Sequence, residues 1–192
     1  TPRTQSALLE CMEEHQVTVD SDTYRLEEPF LVIATQNPIE TAGTYQLPEA
    51  QLDRFLMKIC MGYPEKDGEI EILNRFLKAS PLTSVESVCS KEEVLKMQQE
   101  AKEVYVHPSL MGYIVAATRK HSSVAIGVSP RGTLTMVNAA RAFAYIEGRE
   151  YIVPEDIRIL AEPVFAHRLV LRHGLTYQDN RNALMQTIME SV

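Results

Sequence analysis

Three residues combine a reactive or binding side chain with an unusual position, and each could act on a phosphate group. Asn37 lies in "FLVIATQNP" (residues 30–38), an apolar run of strand character that stops at two amides before Pro38. In an open α/β sheet, ligands sit beyond the carboxyl ends of the strands, where an uncharged amide can hold a phosphate oxygen or a water. The competing reading is local: Gln36 and Asn37 hydrogen-bond nearby backbone in the turn before the proline. Arg131 follows Ser129-Pro130, an N-cap and a first-turn proline, so it occupies a helix's first turn, where the macrodipole disfavours a cation by about 0.3–1 kcal/mol. Either its fork of donors is aimed at a bound phosphate or it pairs with one of the many acids. Arg54 follows Asp53 on a short helix. It is either half of a surface ion pair or, in an oligomer, a finger reaching a neighbour's phosphate.

Other chemistries find little support. Cys11, Cys60 and Cys89 are three in number, far apart and without a C-x-x-C pair, which suggests neither a disulfide framework nor a zinc site and fits a reducing, cytoplasmic setting. His167 and His173 lack metal-ligand spacing, so no metal ligands are assigned and both read as structural or exposed. Glu155 and Asp156 after Pro154 read as acids stabilising a helix N-terminus, not as a catalytic carboxylate pair. The net charge of −7 and the lack of a basic stripe argue against nucleic acid as a partner. No apolar run reaches the roughly 20 residues of a membrane helix, and no signal-peptide pattern opens the chain. Nothing matches the phosphate-binding pattern G-x-x-x-x-G-K-[ST], and no strand ends in the Asp-Glu pair that would hold magnesium.

The elements that must position these residues follow from periodicity. A first helix carries Ala7, Leu8, Cys11 and Met12 on one face, and it begins so abruptly at Thr1-Pro2 that the chain reads as cut within a domain. "QVTVDSDTYRL" (16–26) alternates about an Asp-Ser-Asp turn and predicts a β-hairpin. Residues 30–35 and 56–63 predict strands, the first apolar on both faces as in a parallel sheet, with a short helix over 47–55 between them. From Pro64 helices take over, with no strand expected before residue 168. Expected stripes are Ile70, Leu73, Phe76 and Leu77; then Val94, Met97 and Ala101 behind the capping box Ser90-x-x-Glu93; then Leu110, Met111, Ile114 and Val115. A helix from Ser129-Pro130 to Gly148 follows, then one from Pro154 that is bent or ended at Pro163, a short strand in "RLVLRH", and a helical tail over 182–192.

"TQSALLECMEEHQVTVD" (4–20), "PFLVIATQNPIE" (29–40), "GTYQLPEAQLDRF" (43–55) and "GVSPRGTLTMVNAARAFAYIEGREYIVPEDI" (127–157) resemble the MoxR family of AAA+ ATPases, collinearly and over nearly the whole chain. The resemblance implies an α/β fold: the C-terminal part of an AAA+ (P-loop NTPase) core with a pre-sensor 1 hairpin over 1–63, followed by an all-helical lid domain over 64–192. It implies that Asn37 is sensor 1, Arg54 an arginine finger acting in trans, and Arg131 the sensor 2 arginine of the lid. It further implies ATP and Mg2+ as cofactors of a complete protein, a homo-oligomeric ring expected as a hexamer, and client proteins to be remodelled or matured, von Willebrand factor A-domain proteins among them. Lacking Walker A and Walker B motifs, the chain by itself is expected to bind no cofactor fully and not to hydrolyse ATP. The other readings are a non-catalytic interaction module that docks through its helices, and the motor subunit of a magnesium-chelatase-type complex. A last expectation concerns the two strands: without a paired neighbour, their apolar faces should be exposed or covered by a partner.

Overall fold

The computed structural model describes residues 2–36, 49–78, 80–117 and 124–171, together with Leu184 and Gln186. Helix α1 (Pro2–Glu14) runs into the hairpin β1 (Gln16–Val19) and β2 (Asp22–Arg25), paired antiparallel with Val19 opposite Asp22. The two-residue loop between them, Asp20-Ser21, has positive φ at both positions, the backbone that matches the twist of the flanking strands. The hairpin therefore forms where the alternation placed it.

The expected strands at 30–35 and 56–63 do not form ladders. Neither segment pairs with another strand among the described residues, and Leu31 and Ile33 are 77% and 81% exposed, Met61 and Tyr63 92% and 93%. A strand is defined by its neighbour, since its backbone donors and acceptors are satisfied only across a ladder. The exposure of the apolar side chains agrees with that expectation. Between the two segments, α2 (Glu49–Leu52) ends three residues before the end of the helix expected over 47–55.

Next come α3 (Lys66–Lys78), a 3-10 turn (Pro81–Ser84), α4 (Lys91–Lys102) and α5 (Pro108–Ala117). The capping box of α4 is complete: the Glu93 N–H donates to Ser90 Oγ at 3.1 Å and the Ser90 N–H to Glu93 Oε2 at 2.7 Å. The apolar stripe of α3 is exposed throughout, Phe76 and Leu77 included, and α4 buries no residue.

The core lies between α5, α6 (Pro130–Ile146) and α7 (Pro154–Phe165). Ile114, Met136, Ile157, Val164 and Phe165 are fully buried, each contributing about 1.5–3 kcal/mol of transfer free energy. The buried face of α6 is built from Gly132, Met136, Ala139, Ala140 and Ala144, and it packs against α7. Helix α6 stops at Gly148, which takes φ +71 and lets the Arg149 N–H reach Ala144 O at 2.8 Å, a left-handed C-terminal cap. Arg149 then forks onto Asp156, donating to both carboxylate oxygens at 2.8 and 2.5 Å, while the Val153 N–H donates to Asp156 Oδ2 at 2.8 Å. Of the two acids in "VPEDI", Asp156 thus closes the first turn of α7 as expected.

Pro163 does not end its helix. It sits in the last turn of α7, which continues to Phe165 and tightens into a 3-10 turn (Ala166–Arg168). The Pro163 carbonyl accepts the Lys58 N–H at 2.8 Å, joining α7 to the segment after α2. The helical layer also contains a ribbon that periodicity missed: β3 (Val124–Ile126) pairs antiparallel with β4 (Val170–Leu171), with a register shift between Val124 and Ile126. The expected short strand in "RLVLRH" exists because of this partner, and the three residues of β3 were too few to show a period of two. The layer from α3 onward is thus mostly, not purely, helical. Leu184 and Gln186 are helical, and the rest of the tail expected over 182–192 lies outside the described residues.

Candidate phosphate-facing site

Arg54 and Arg131, 77 positions apart in the sequence, meet at one carboxylate. Glu13, on the last turn of α1, accepts from Arg131 Nη1 through Oε1 at 2.5 Å and from Arg54 Nη1 through Oε2. The hydrogen bond from Arg131 holds the Glu13 carboxyl below the usual carboxylate range, with partial burial opposing and the Arg54 charge adding to it. The arginine side chains remain 28% and 49% accessible, so both guanidiniums stay in contact with solvent while sharing an anion. A carboxylate held by two guanidiniums presents oxygens in a way that resembles a phosphate between the same two donors.

The backbone beneath each arginine is anchored. Ser129 is the N-cap of α6: its Oγ accepts the Gly132 N–H at 3.3 Å and donates to Asp53 Oδ2 at 3.1 Å. The other Asp53 oxygen accepts from Arg168 Nε at 2.9 Å. The motif Ser129-Pro130-Arg131-Gly132 and the motif Leu52-Asp53-Arg54-Phe55 are therefore docked through the residues adjoining their arginines. Gly132 is needed at this seam, since a Cβ there would lie 2.4 Å from Val128 Cγ1 and 2.8 Å from Arg168 Cδ. Beside it, His167 Nε2 donates to the Phe55 carbonyl at 3.3 Å. Burial, reinforced by the adjacent Arg168 charge, pushes the His167 pKa down to about 4, so the ring is neutral at pH 7. His167 is thus structural, one of the two fates expected for it, and His173 lies outside the described residues.

Of the three candidate residues, the structure brings Arg54 and Arg131 together, and Asn37 lies outside the described residues. Arg168 and Glu13 were not singled out from sequence. Arg168 had a signal, an arginine inside "FAHRLVL" (165–171), a run apolar apart from it and His167, where a charge requires a partner. Glu13 had none, being one acid among many.

The arginine pair suits the phosphates of ATP, because its two cationic forks already hold a bidentate anion. Among the described residues there is no group of three His, Cys, Asp or Glu side chains able to hold a metal ion.

Residues 1–57 match the family described as "ATPase family associated with various cellular activities (AAA)", and residues 116–188 match the family described as "AAA lid domain". A core segment followed by a lid defines part of an AAA+ protein. The chain is 45% identical to the uncharacterized protein YeaC of Bacillus subtilis, matching over 100% of this chain and 61% of that one. It is 43% identical to chaperone MoxR1 of Mycobacterium tuberculosis, over 99% of this chain and 53% of the relative. The crystal structure of a candidate ATPase from Cytophaga hutchinsonii superposes with a TM-score of 0.88 at 36% identity, covering 100% of this chain and 62% of its own. More narrowly, then, the chain belongs to the MoxR family of AAA+ proteins. It spans 53–61% of the length of these two curated relatives.

Proposed function

We propose that this chain carries the sensor and arginine-finger part of a MoxR-type ATPase, residues 1–63 belonging to the α/β core and 64–192 to the lid. The observation that supports the reading is the convergence of Arg54 and Arg131 on the Glu13 carboxylate. In this reading Arg54 acts in trans on the ATP of an adjacent subunit, Arg131, the lid's sensor 2, reaches the phosphates of that same ATP from its place beside Arg54, and Asn37 is sensor 1, orienting the attacking water. Mg-ATP supplies the transferable phosphoryl group, and two guanidiniums in place before reaction lower the cost of the charge developing on it. The same contacts tie nucleotide state to the position of the lid, because Arg131 projects from the first turn of α6, which packs on α7 in the lid core.

The work done by this cycle is remodelling or maturation of client proteins by a ring, expected as a hexamer. Von Willebrand factor A-domain proteins are the candidate clients, and the chaperone relative supports a client-directed role. A cytoplasmic location fits three cysteines that form no disulfide. Among the described residues no helix is long and apolar enough to cross a membrane.

Calorimetric titration of the 192-residue chain with inorganic tripolyphosphate tests the site. Losing a charge-assisted hydrogen bond should weaken binding at least about tenfold in R54A and in R131A. E13Q, which removes the competing anion, should bind more tightly. Binding that is indifferent to both arginines would sink the reading. The chain by itself should release no phosphate from ATP above background, since its 192 residues contain no G-x-x-x-x-G-K-[ST].

A further inference from the structure

Arg168 is a buried charge that the reading above does not use. Its side chain is 2% exposed, and all but one of its hydrogen bonds among the described residues reach the segment that carries Arg54. Nε donates to Asp53 Oδ1 at 2.9 Å, Nη2 to the carbonyls of Asp53 at 3.1 Å and Phe55 at 2.5 Å, and Nη1 to the carbonyl of Leu56 at 3.2 Å and to that of Val164 in the last turn of α7. The residues on both sides of Arg54 are thus fastened to one guanidinium. On its other side the Arg168 stem passes Gly132, the residue after Arg131, so closely that a Cβ there would meet Cδ at 2.8 Å and Nε at 3.1 Å. Asp53 completes the bracket by accepting from Ser129 Oγ.

Stability alone gives a poor account of this arginine. Burial pulls its pKa below the usual value, with Asp53 opposing, yet the guanidinium keeps its charge, and an apolar side chain of similar volume commonly serves as well in such a place. A fork of five donors does something an apolar side chain cannot: it sets the direction of the carbonyls it binds and so the orientation of the turn. We propose that Arg168 is a positioning residue that fixes the spacing of Arg54 and Arg131, so that the two act as one clamp on a single phosphate chain. The proposal rests on the reading of Arg54 and Arg131 as phosphate ligands. Its consequence is that the lid arginine and the finger cannot separate unless the Asp53–Arg168 bond opens.

The test is a double-mutant cycle in the 192-residue chain, read by calorimetric titration with inorganic tripolyphosphate. In the wild-type background R54A and R131A should be non-additive, with a coupling of about fivefold or more, as for groups that share a ligand. In R168M the same cycle should show no coupling while far-UV circular dichroism and cooperative unfolding are retained, and R168K, which lacks the planar fork, should not restore it. If R168M does not fold, R168K provides the same readout, since it keeps the positive charge and lacks the planar fork that holds the carbonyls of Asp53, Phe55 and Leu56. Coupling that persists in R168M or R168K overturns the proposal and leaves the phosphate reading intact. Single variants that do not weaken binding overturn both.

Discussion

The seam between Ser129-Pro130-Arg131-Gly132 and Arg168 is tight enough that a single methyl group tests it. On an ordinary helix Gly→Ala is stabilising by about 1 kcal/mol, because alanine restricts the unfolded chain and suits the helix. Gly132 lies in the first turn of α6, so Gly132→Ala should gain that amount if the site were open. It is not open: the added Cβ would stand 2.4 Å from Val128 Cγ1 and 2.8 Å from Arg168 Cδ, against ordinary contacts of about 3.5–4.0 Å between carbons. Neither neighbour retreats easily. Val128 packs against the buried core and Arg168 is held by its hydrogen bonds to the turn at Asp53–Leu56. Overpacking of this kind costs about 1–3 kcal/mol, and displacing the Arg168 fork puts further hydrogen bonds at risk. The net expectation for G132A is a loss of about 1–2 kcal/mol, the sign opposite to that of propensity. Urea unfolding followed by circular dichroism measures it, and V128A in the same chain should recover part of the loss by removing the closest contact. A G132A protein as stable as wild type, or more so, would refute the tight docking on which the seam and the positioning role of Arg168 depend.

Arg149→Ala should cost about 3 kcal/mol in thermal or urea unfolding, because Asp156 is 2% exposed and would keep a buried carboxylate with its bidentate partner gone. Ser90→Ala removes the α4 cap and should cost about 1 kcal/mol, with faster amide exchange confined to the first turn of that helix. His167 titrates at about 4 in the folded chain against 6.5 for the free side chain. Its folded pKa is depressed, so the unfolded chain binds the extra proton between those values. The stability attached to it is complete above pH 6.5 and is lost as pH falls toward 4. Discounted for the half-buried ring, the loss should be about 1–2 kcal/mol, and H167Q should flatten that part of the pH–stability curve.

Local signals were readable from sequence because their causes are local. The Asp-Ser turn, the Ser90 capping box, the Ser129-Pro130 helix start, Gly148 and Asp156 each depend on residues within four or five positions, and each appears where the pattern put it. The strands at 30–35 and 56–63 failed for the complementary reason. Their apolar pattern describes a sheet interior, and the ladder it calls for requires a neighbour that the described residues do not contain. The ribbon of β3 and β4 was missed because pairing, not periodicity, creates it.

At the site the same division holds. Arg131 announced itself by breaking the dipole rule in a first turn, and Arg54 by its place beside Asp53, yet sequence left each with a bland alternative. Only the tertiary structure put them on one carboxylate, through contacts spanning 41 and 118 residues, and put Arg168 beneath them across 115. Sequence determined which groups were available, the helices they stand on and the caps that start and stop those helices, because backbone preference and local hydrogen bonding act over a turn or two. Which of 26 acids would meet those arginines, and which buried guanidinium would hold their spacing, was decided by packing. That choice depends on desolvation and on contacts between distant segments, neither of which is written at any single position.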